Sequence, residues 1–491
     1  MPARNAIPRP HERPSLEGAV KRREKTTVSP SMKDLIKFAL ALFLYGGLAP
    51  LLGVWLTSRR VWQRVVFATM IVMTALRPGN FMMMIGSIET YRGHTKGFEI
   101  SLIEVLALAL IIAISRARRV ENPLRAKRPP GVGLYLLWCG LSLLSLFGTY
   151  EPTYALMAAS RFAKGALIFA AAALYLRNED DARWAVGALA GALFHHGLLT
   201  LKMRLFDGSW QVKGWFEHQN PLAMWCYLGA FPVFALALHP RVKGGLLWLC
   251  LAGYGGAGLC ILLTVSRAAL AAYVVGSGLL LLLAWMRGPN VRAASISAIG
   301  AVGAVFVFLF ALDSFKARLN EVAESSEMVE EDLRDILNKQ SAAMLRDNPL
   351  FGVGWNNFGI ANSRPRGDQY SEILEEWDRD RGFTIYDENY YANPLTESLY
   401  WLWLAETGWL GFGSFLLFAA ATLWWTLRSA IATRGTLMGA FAAALFIGLL
   451  ICYGHGTVER ILTQTKNLSH WLMLAGMGAG LEMNRRAGRR G

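Results

Sequence analysis

The feature that most constrains this chain is a repeated one. Apolar runs of roughly 17–25 residues follow one another along most of the sequence, each bounded by short clusters of Arg and Lys. A helix of that length crosses a hydrocarbon layer about 30 Å thick. One such run fits inside a soluble core, but a dozen cannot be buried in any single core that 491 residues can build. Charged residues make up 17% of the chain, against about 25% in soluble domains, and the deficit falls within these runs. The fold class this predicts is all-α: a polytopic helical membrane protein with about 12–14 transmembrane helices.

The net charge of +15 would suggest nucleic acid in a soluble protein. Here most of the excess sits in short loops between spans, where the positive-inside rule accounts for it, so nucleic acid is not expected as a partner. Residues 1–33 are basic, polar and Pro-rich, with Arg22, Arg23 and Lys25 but no apolar segment. They read as a disordered cytoplasmic tail, not a cleaved signal peptide. Cys139, Cys226, Cys250, Cys260 and Cys452 all lie in apolar runs without metal-ligand spacing, so neither disulfides nor a metal site is expected, and no cofactor is implied.

Basic clusters at 116–128, 241–243, 287–292, 428–434 and from Arg485 onward anchor the cytoplasmic side. Spans then fall near 99–115, 131–148, 155–176, 184–203, 220–238, 245–264, 267–286, 293–312, 396–427, 436–453 and 468–484. Segments 204–219, 313–395 and 454–467 share the opposite, outer side. The division expected is tail 1–33, N-terminal transmembrane helices 34–203, a core 204–484 containing the large outer loop 313–395, and a cytoplasmic tail 485–491. That loop is acidic at its start, with Glu321, Glu324, Glu327, Glu330, Glu331 and Asp332, and has helical apolar spacing over 328–344. It predicts amphipathic helices over the membrane mouth. Two further apolar runs lie near 34–57 and 61–77. A basic tail inside followed by three spans before Arg116 gives the wrong parity. Either the region 46–50 turns the first run into a hairpin, or one segment does not cross.

Candidate chemistry gathers on the outer side. Arg267 follows Ser266 at the junction of two apolar runs. A charge at a membrane boundary needs a partner or water, and a guanidinium suits a pair of phosphate oxygens; the other reading is an arginine snorkelling to headgroups. Lys213 and Arg204 add positive charge on the same side, each also explicable as a surface charge. His218 and Asn220 precede Pro221, a helix-start signal, so Asn220 is either a cap or a functional group. Glu397 opens an apolar run, either solvated or placed to take a proton. His455 and Arg460, in the last outer loop, are open to the same two readings. Trp355 and Phe358, in a Gly-rich segment over 352–359, are expected to dock that segment into the membrane mouth. Gly408 looks like a helix break, with Glu406 as a polar packing residue beside it.

Taken in order, these blocks resemble the O-antigen ligase and polymerase superfamily. Its members carry Gly-x-Phe-x-x-x-Asn-x-x-Ala, met here by Gly214, Phe216, Asn220 and Ala223, then Ser-Arg at a span end, met by Ser266 and Arg267. A large periplasmic loop follows with Pro-Leu-x-Gly-x-Gly-x-x-x-Phe, here 349–358. The last block, His-Asn-x-Tyr-Leu through Ala-Glu-Thr-Gly, is met in its latter part over 399–408. The resemblance covers about the last 300 residues and implies a metal-independent glycosyltransferase of GT-C-like architecture in the bacterial inner membrane. Such an enzyme takes a glycan from an undecaprenyl diphosphate carrier at the periplasmic face and passes it to a hydroxyl acceptor: lipid A core, a growing glycan or a protein. Membrane lipids surround both substrates. Cationic groups would stabilise the diphosphate leaving group, and a general base would help the acceptor alcohol.

Two departures are visible. Alignment back from 405–408 puts Glu397 where ligases carry a histidine and Ser398 where they carry asparagine, and Lys213 and Arg204 compete for the place of an upstream arginine. Glu397 and Arg267 are therefore the expected catalytic residues. Lys213, Arg204, His218, Asn220, His455 and Arg460 are expected to bind substrate. The rival from another class is a polysaccharide transporter or flippase, which would tend to show internal repeats and polar groups near mid-membrane; no convincing repeat is visible here. An inactive scaffold in an envelope assembly is a third possibility.

Overall fold

The computed structural model describes residues 32–88, 91, 93–121, 129–209, 211–288, 291–298, 300, 305, 326–362, 370–373 and 395–488. Residues 1–31 of the expected tail 1–33, most of the span 293–312 and much of the loop 313–395 lie outside the described residues.

The architecture is a helical membrane bundle. In chain order it contains α1 (Met32–Leu56), α2 (Arg60–Met73), the two-stranded antiparallel hairpin β1 (Met82–Ile85) and β2 (Phe98–Ser101), and α3 (Leu102–Glu121). Then come α4 (Val132–Gly148), α5 (Pro152–Tyr175), α6 (Glu179–Leu205), α7 (Gln219–Leu238), α8 (Gly244–Thr264) and α9 (Arg267–Trp285). The last are α10 (Ser326–Asp347), α11 (Leu399–Ala432), α12 (Leu437–His455) and α13 (Thr465–Gly488). Among the described residues, eight of these are long and apolar enough to cross a membrane: α1, α5, α6, α7, α8, α9, α11 and α12. Helices α2, α3, α4 and α13 are shorter or more polar and pack in the same bundle. One apolar core runs from Ala49 to Leu481, through the 34–203 and 204–484 portions alike.

Two packing devices set the geometry. Helix α7 is buried on every side and forms the spine against α6, α8, α9 and α12. Helices α6 and α8 approach through small residues: a Cβ added at Gly197 would lie 2.6 Å from the Cα of Gly256, and one at Gly253 would lie 2.5 Å from the Ala190 carbonyl oxygen. Where lipid and side chain are equally apolar, close backbone approach of this kind supplies the contact energy between helices.

Short connections force successive helices to alternate in direction, and polar anchors mark two faces. On one face Arg60 and Arg64 hold Asp181, Asn484 donates to the Leu176 carbonyl at 2.9 Å, and Arg292 donates to the carbonyls of His239 and Val242. On the other, Lys466 donates to the Trp215 carbonyl at 2.6 Å, Asn467 to the Pro221 carbonyl, and the Leu399 N–H to the Gly456 carbonyl. Parts of segments 204–219 and 454–467, expected to share a side, meet at this second face, the site face, together with the start of α11.

The hairpin option at 46–50 is not taken. Helix α1 continues through a π-helical turn at Phe43–Leu48, which absorbs the lost backbone hydrogen bond ahead of Pro50. Lys37 donates to the Met84 carbonyl at 2.8 Å, so α1 begins on the site face. It descends, α2 returns, and α3 descends again; three spans then reach Arg116 with consistent parity, because α1 starts on the site face and not on the cytoplasmic side expected for the segment leading into it.

Candidate active site

The site face is organised by a docking of backbone on backbone. Helix α11 breaks at Gly408 (φ 61°, ψ −170°), a conformation open essentially to glycine alone. The segment 349–354 lies along the break: the Trp409 N–H donates to the Pro349 carbonyl (2.8 Å), Val353 to Ala405 (2.9 Å) and Gly354 to Glu406 (3.1 Å). No Cβ fits on either side. One at Gly408 would sit 2.4 Å from the Leu350 carbonyl, and one at Gly352 2.4 Å from the Glu406 carbonyl carbon. The two Gly-containing blocks are thus halves of one structural unit. Trp355 and Phe358 are fully buried beneath it, as their docking role requires.

Glu406 is the polar pin of this unit. Its buried carboxylate accepts the N–H groups of Asn356 (3.0 Å) and Phe358 (3.2 Å) and meets Nε2 of His94 at 2.5 Å. The Asn356 side chain accepts the His94 N–H at 2.5 Å and donates to the carbonyls of Thr95 and Tyr154. Asn356 itself is a non-glycine residue at φ 60°, which its side-chain bonds stabilise. Both oxygens of the buried carboxylate are engaged in ordering loops, so Glu406 has the packing role expected of it. Arg161 extends the pin by donating to the carbonyls of His94 and Thr463, with Glu99 3.5 Å away.

Above the pin lies a second, more open polar cluster. The Asn220 amide donates to the carboxylate of Glu459, and Arg334 on α10 grips Glu397 through Nη2 (2.6 Å) and Nε (3.1 Å), both on the same oxygen. Both members of that pair are about a third exposed. Burial first, and then the neighbouring Glu397 charge, push Glu459 from 4.5 up to about 7, against the opposing influence of Arg334, Arg460 and the Asn220 amide. Two carboxyls therefore share one site in unlike surroundings: Glu397 is gripped by the Arg334 guanidinium, and the more buried Glu459 is pushed up to about 7.

The expected residues distribute around this cluster as follows. Asn220, Glu397 and Arg460 belong to it. His218, not Asn220, is the N-cap of α7, its Nδ1 accepting the Asn220 N–H at 3.5 Å; this leaves the Asn220 side chain for Glu459. His455 is buried at the end of α12, where Nδ1 meets the Tyr227 hydroxyl at 3.0 Å. Arg267 is exposed at the first turn of α9. The turn before it holds Val265 at φ 57°, a strained state for a β-branched residue that lets α8 pass directly into α9 and present Ser266 and Arg267 at the face. Lys213 is exposed in the loop before α7, and Arg204 reaches the Ser209 carbonyl at 3.3 Å from the end of α6.

A polar cavity of about 290 Å³ adjoins the cluster. Arg460, Glu217, Phe216 and Lys466 line one side of it, and His94, Lys96 and Glu99 of the β1–β2 region the other. Glu459, Arg334 and the hairpin were not singled out in the sequence. Glu459 is a lone acid in a short loop and the hairpin has only brief alternation; Arg334 was legible only as part of an amphipathic stretch. Among the described residues no group of three or more His, Cys, Asp and Glu side chains is placed to hold a metal ion.

Fold and site together define a polytopic membrane protein whose polar machinery is gathered at one mouth of the bundle. Residues 252–416 match the family model described as O-antigen ligase, about a third of the chain, and this supports the O-antigen ligase and polymerase superfamily and, in general, membrane glycan transfer of that type. The match contains Ser266, Arg267, the segment 349–358, Glu397 and the helix break at Gly408, whereas Asn220, Glu459 and Arg460 lie outside it. No match is found among curated proteins.

Proposed function

We propose that this protein is a glycosyltransferase of the ligase or polymerase type that takes a glycan from an undecaprenyl diphosphate carrier and passes it to a hydroxyl acceptor at the periplasmic face of a bacterial inner membrane. The observation that carries the reading is the meeting of two unlike carboxyls, Glu397 and Glu459, with Arg334, Arg460 and Asn220 at a membrane mouth. Both substrates are amphiphiles, and a membrane mouth is where a lipid diphosphate and a polar acceptor can meet.

The chemistry asked of the site is a displacement at the anomeric carbon. The acceptor oxygen attacks, its proton passes to a carboxylate, the bond from the anomeric carbon to the phosphate oxygen breaks, and the electron pair leaves on the diphosphate. The Glu397–Glu459 pair is the proton-accepting centre in this proposal. Glu397 stands at the mouth, and Glu459, raised to about 7, is matched to neutral pH. Arg267 holds the departing diphosphate, where growing negative charge makes a fixed guanidinium most effective. Arg204, Lys213 and Arg460 add positive potential around the carrier, and His218, Asn220 and His455 shape the acceptor side. No step in this scheme calls on a metal ion.

Mass spectrometry of envelope glycans from cells with and without the gene tests the reading. Shortened chains identify a polymerase, and full-length chains left on the carrier identify a ligase. Unchanged glycans would refute both.

A further inference from the structure

At the end of the bundle opposite the site face, α7, α9 and α12 enclose a second cavity, of about 390 Å³. Its walls are apolar, formed by side chains such as Leu238, Leu280, Leu283 and Ala443, and its mouth carries Arg287, His239 and the Gly435 backbone. The outer surface of α9 continues the apolar wall into the membrane zone through the exposed side chains of Leu279 and Leu282.

The charge balance at this face is uneven. Glu179 is held by Arg241 (3.5 Å) and Arg183 (3.7 Å), Asp180 and Asp181 by Arg64 and Arg60, and Glu482 by Arg485 and Arg486. Arg292 is engaged by the backbone carbonyls of His239 and Val242. Arg287 and Arg434 are left with no carboxylate partner among the described residues. Arg287 lines the cavity mouth, as does Gly435, the neighbour of Arg434, so both arginines stand at one mouth; burial, and then the Arg434 charge, hold Arg287 below its usual range. Both arginines are exposed, so this positive mouth is open to an anion at the membrane surface, directly above an apolar hollow.

We propose that this cavity binds an anionic phospholipid from the leaflet opposite the site face, its phosphate between Arg287 and Arg434 and an acyl chain on the apolar wall. Basic pockets between transmembrane helices suit lipid phosphates for these reasons. A free phosphate could meet the two guanidinium groups equally well, but only a ligand with a hydrocarbon chain also uses the wall.

The test uses the full chain purified in a neutral detergent. Native mass spectrometry and thermal melting follow the addition of phosphatidylglycerol, phosphatidylcholine or inorganic phosphate. Wild type should retain phosphatidylglycerol and melt higher with it, and should respond little to phosphatidylcholine or to millimolar phosphate. Arg287→Gln with Arg434→Gln should bind phosphatidylglycerol about tenfold more weakly. A control pair on the same face, Lys243→Gln with Arg428→Gln, should bind as wild type does. Ala443→Phe keeps both arginines and fills the cavity, so it should also lose the lipid, which keeps the test decisive if the double arginine variant does not fold. Equal lipid retention in wild type and the cavity variants would overturn the proposal, as would equal loss in the control pair. Stabilisation by inorganic phosphate matching that by phosphatidylglycerol would assign the site to free phosphate and overturn the lipid.

Discussion

Glu459→Gln separates the charge of a buried site carboxyl from its shape. The Asn220 amide donates to this side chain, and glutamine keeps an acceptor in the same place. Burial and the Glu397 charge raise the carboxyl from 4.5 to about 7. A group whose folded value lies above its unfolded value binds its proton more tightly in the folded state. Its ionisation therefore costs stability as pH rises from 4.5 through about 7. The full difference corresponds to about 3 kcal/mol; with solvent reaching part of the group, roughly 1–3 kcal/mol is expected. Glutamine removes that cost, so the variant should melt higher than wild type at pH 8 and nearly with it at pH 5. The same change removes a base matched to neutral pH, and transfer should slow by roughly 10²–10⁴-fold. Initial transfer rates from pH 5.5 to 8.5, with melting followed in the same detergent, measure both effects; the wild-type rate should climb through pH 7 and the variant's residual rate should not. Wild-type turnover in the variant, or a lower melting point at pH 8, would refute the assignment.

Further outcomes follow from the same geometry. Arg267→Lys keeps the charge but loses the planar fork, so turnover should fall while insertion is normal; carrier binding should weaken for Arg267→Ala and stay near wild type for Glu397→Gln, as measured by carrier titration. Gly408→Ala forces a side chain into a glycine-only conformation against the Leu350 backbone and should cost about 3 kcal/mol or more, seen as loss of monodisperse protein. For topology, the native cysteines in the structure are all buried, which keeps background low. A cysteine at the exposed Arg346 should react with an impermeant maleimide in intact cells, and one at Arg241 only after the inner membrane is opened. The reverse pattern would invert the proposed orientation.

The spans were legible because each is a long apolar run with basic punctuation, a signal that depends on nothing else in the chain. The region 46–50 was not, because Gly46, Gly47 and Pro50 serve a hairpin and a π turn equally well, and the choice is made by contacts with α3 and the β hairpin. The amphipathic spacing over 328–344 pointed correctly to a helix, found as Ser326–Asp347, but not to Arg334 as the partner of Glu397 63 positions away. Gly408 and Glu406 were readable as a break and its polar neighbour; that the Gly-rich segment 349–354 forms the other half of the break requires the fold. Glu459 shows the limit most clearly. Its chemistry comes from burial, from Asn220 239 positions upstream and from a second carboxylate, none of which leaves a local trace in the sequence.

The most direct test of the account is a single-enzyme reaction. Purified protein in detergent or nanodiscs is given an undecaprenyl diphosphate-linked glycan and a hydroxyl acceptor, with excess chelator present, and the products are followed by mass spectrometry. The account predicts that the glycan appears on the acceptor, that free undecaprenyl diphosphate accumulates in equal amount, and that Glu459→Gln and Arg267→Ala lose both products. Passage of the intact lipid-linked glycan across a sealed bilayer with no cleavage of the glycosyl–phosphate bond would contradict it.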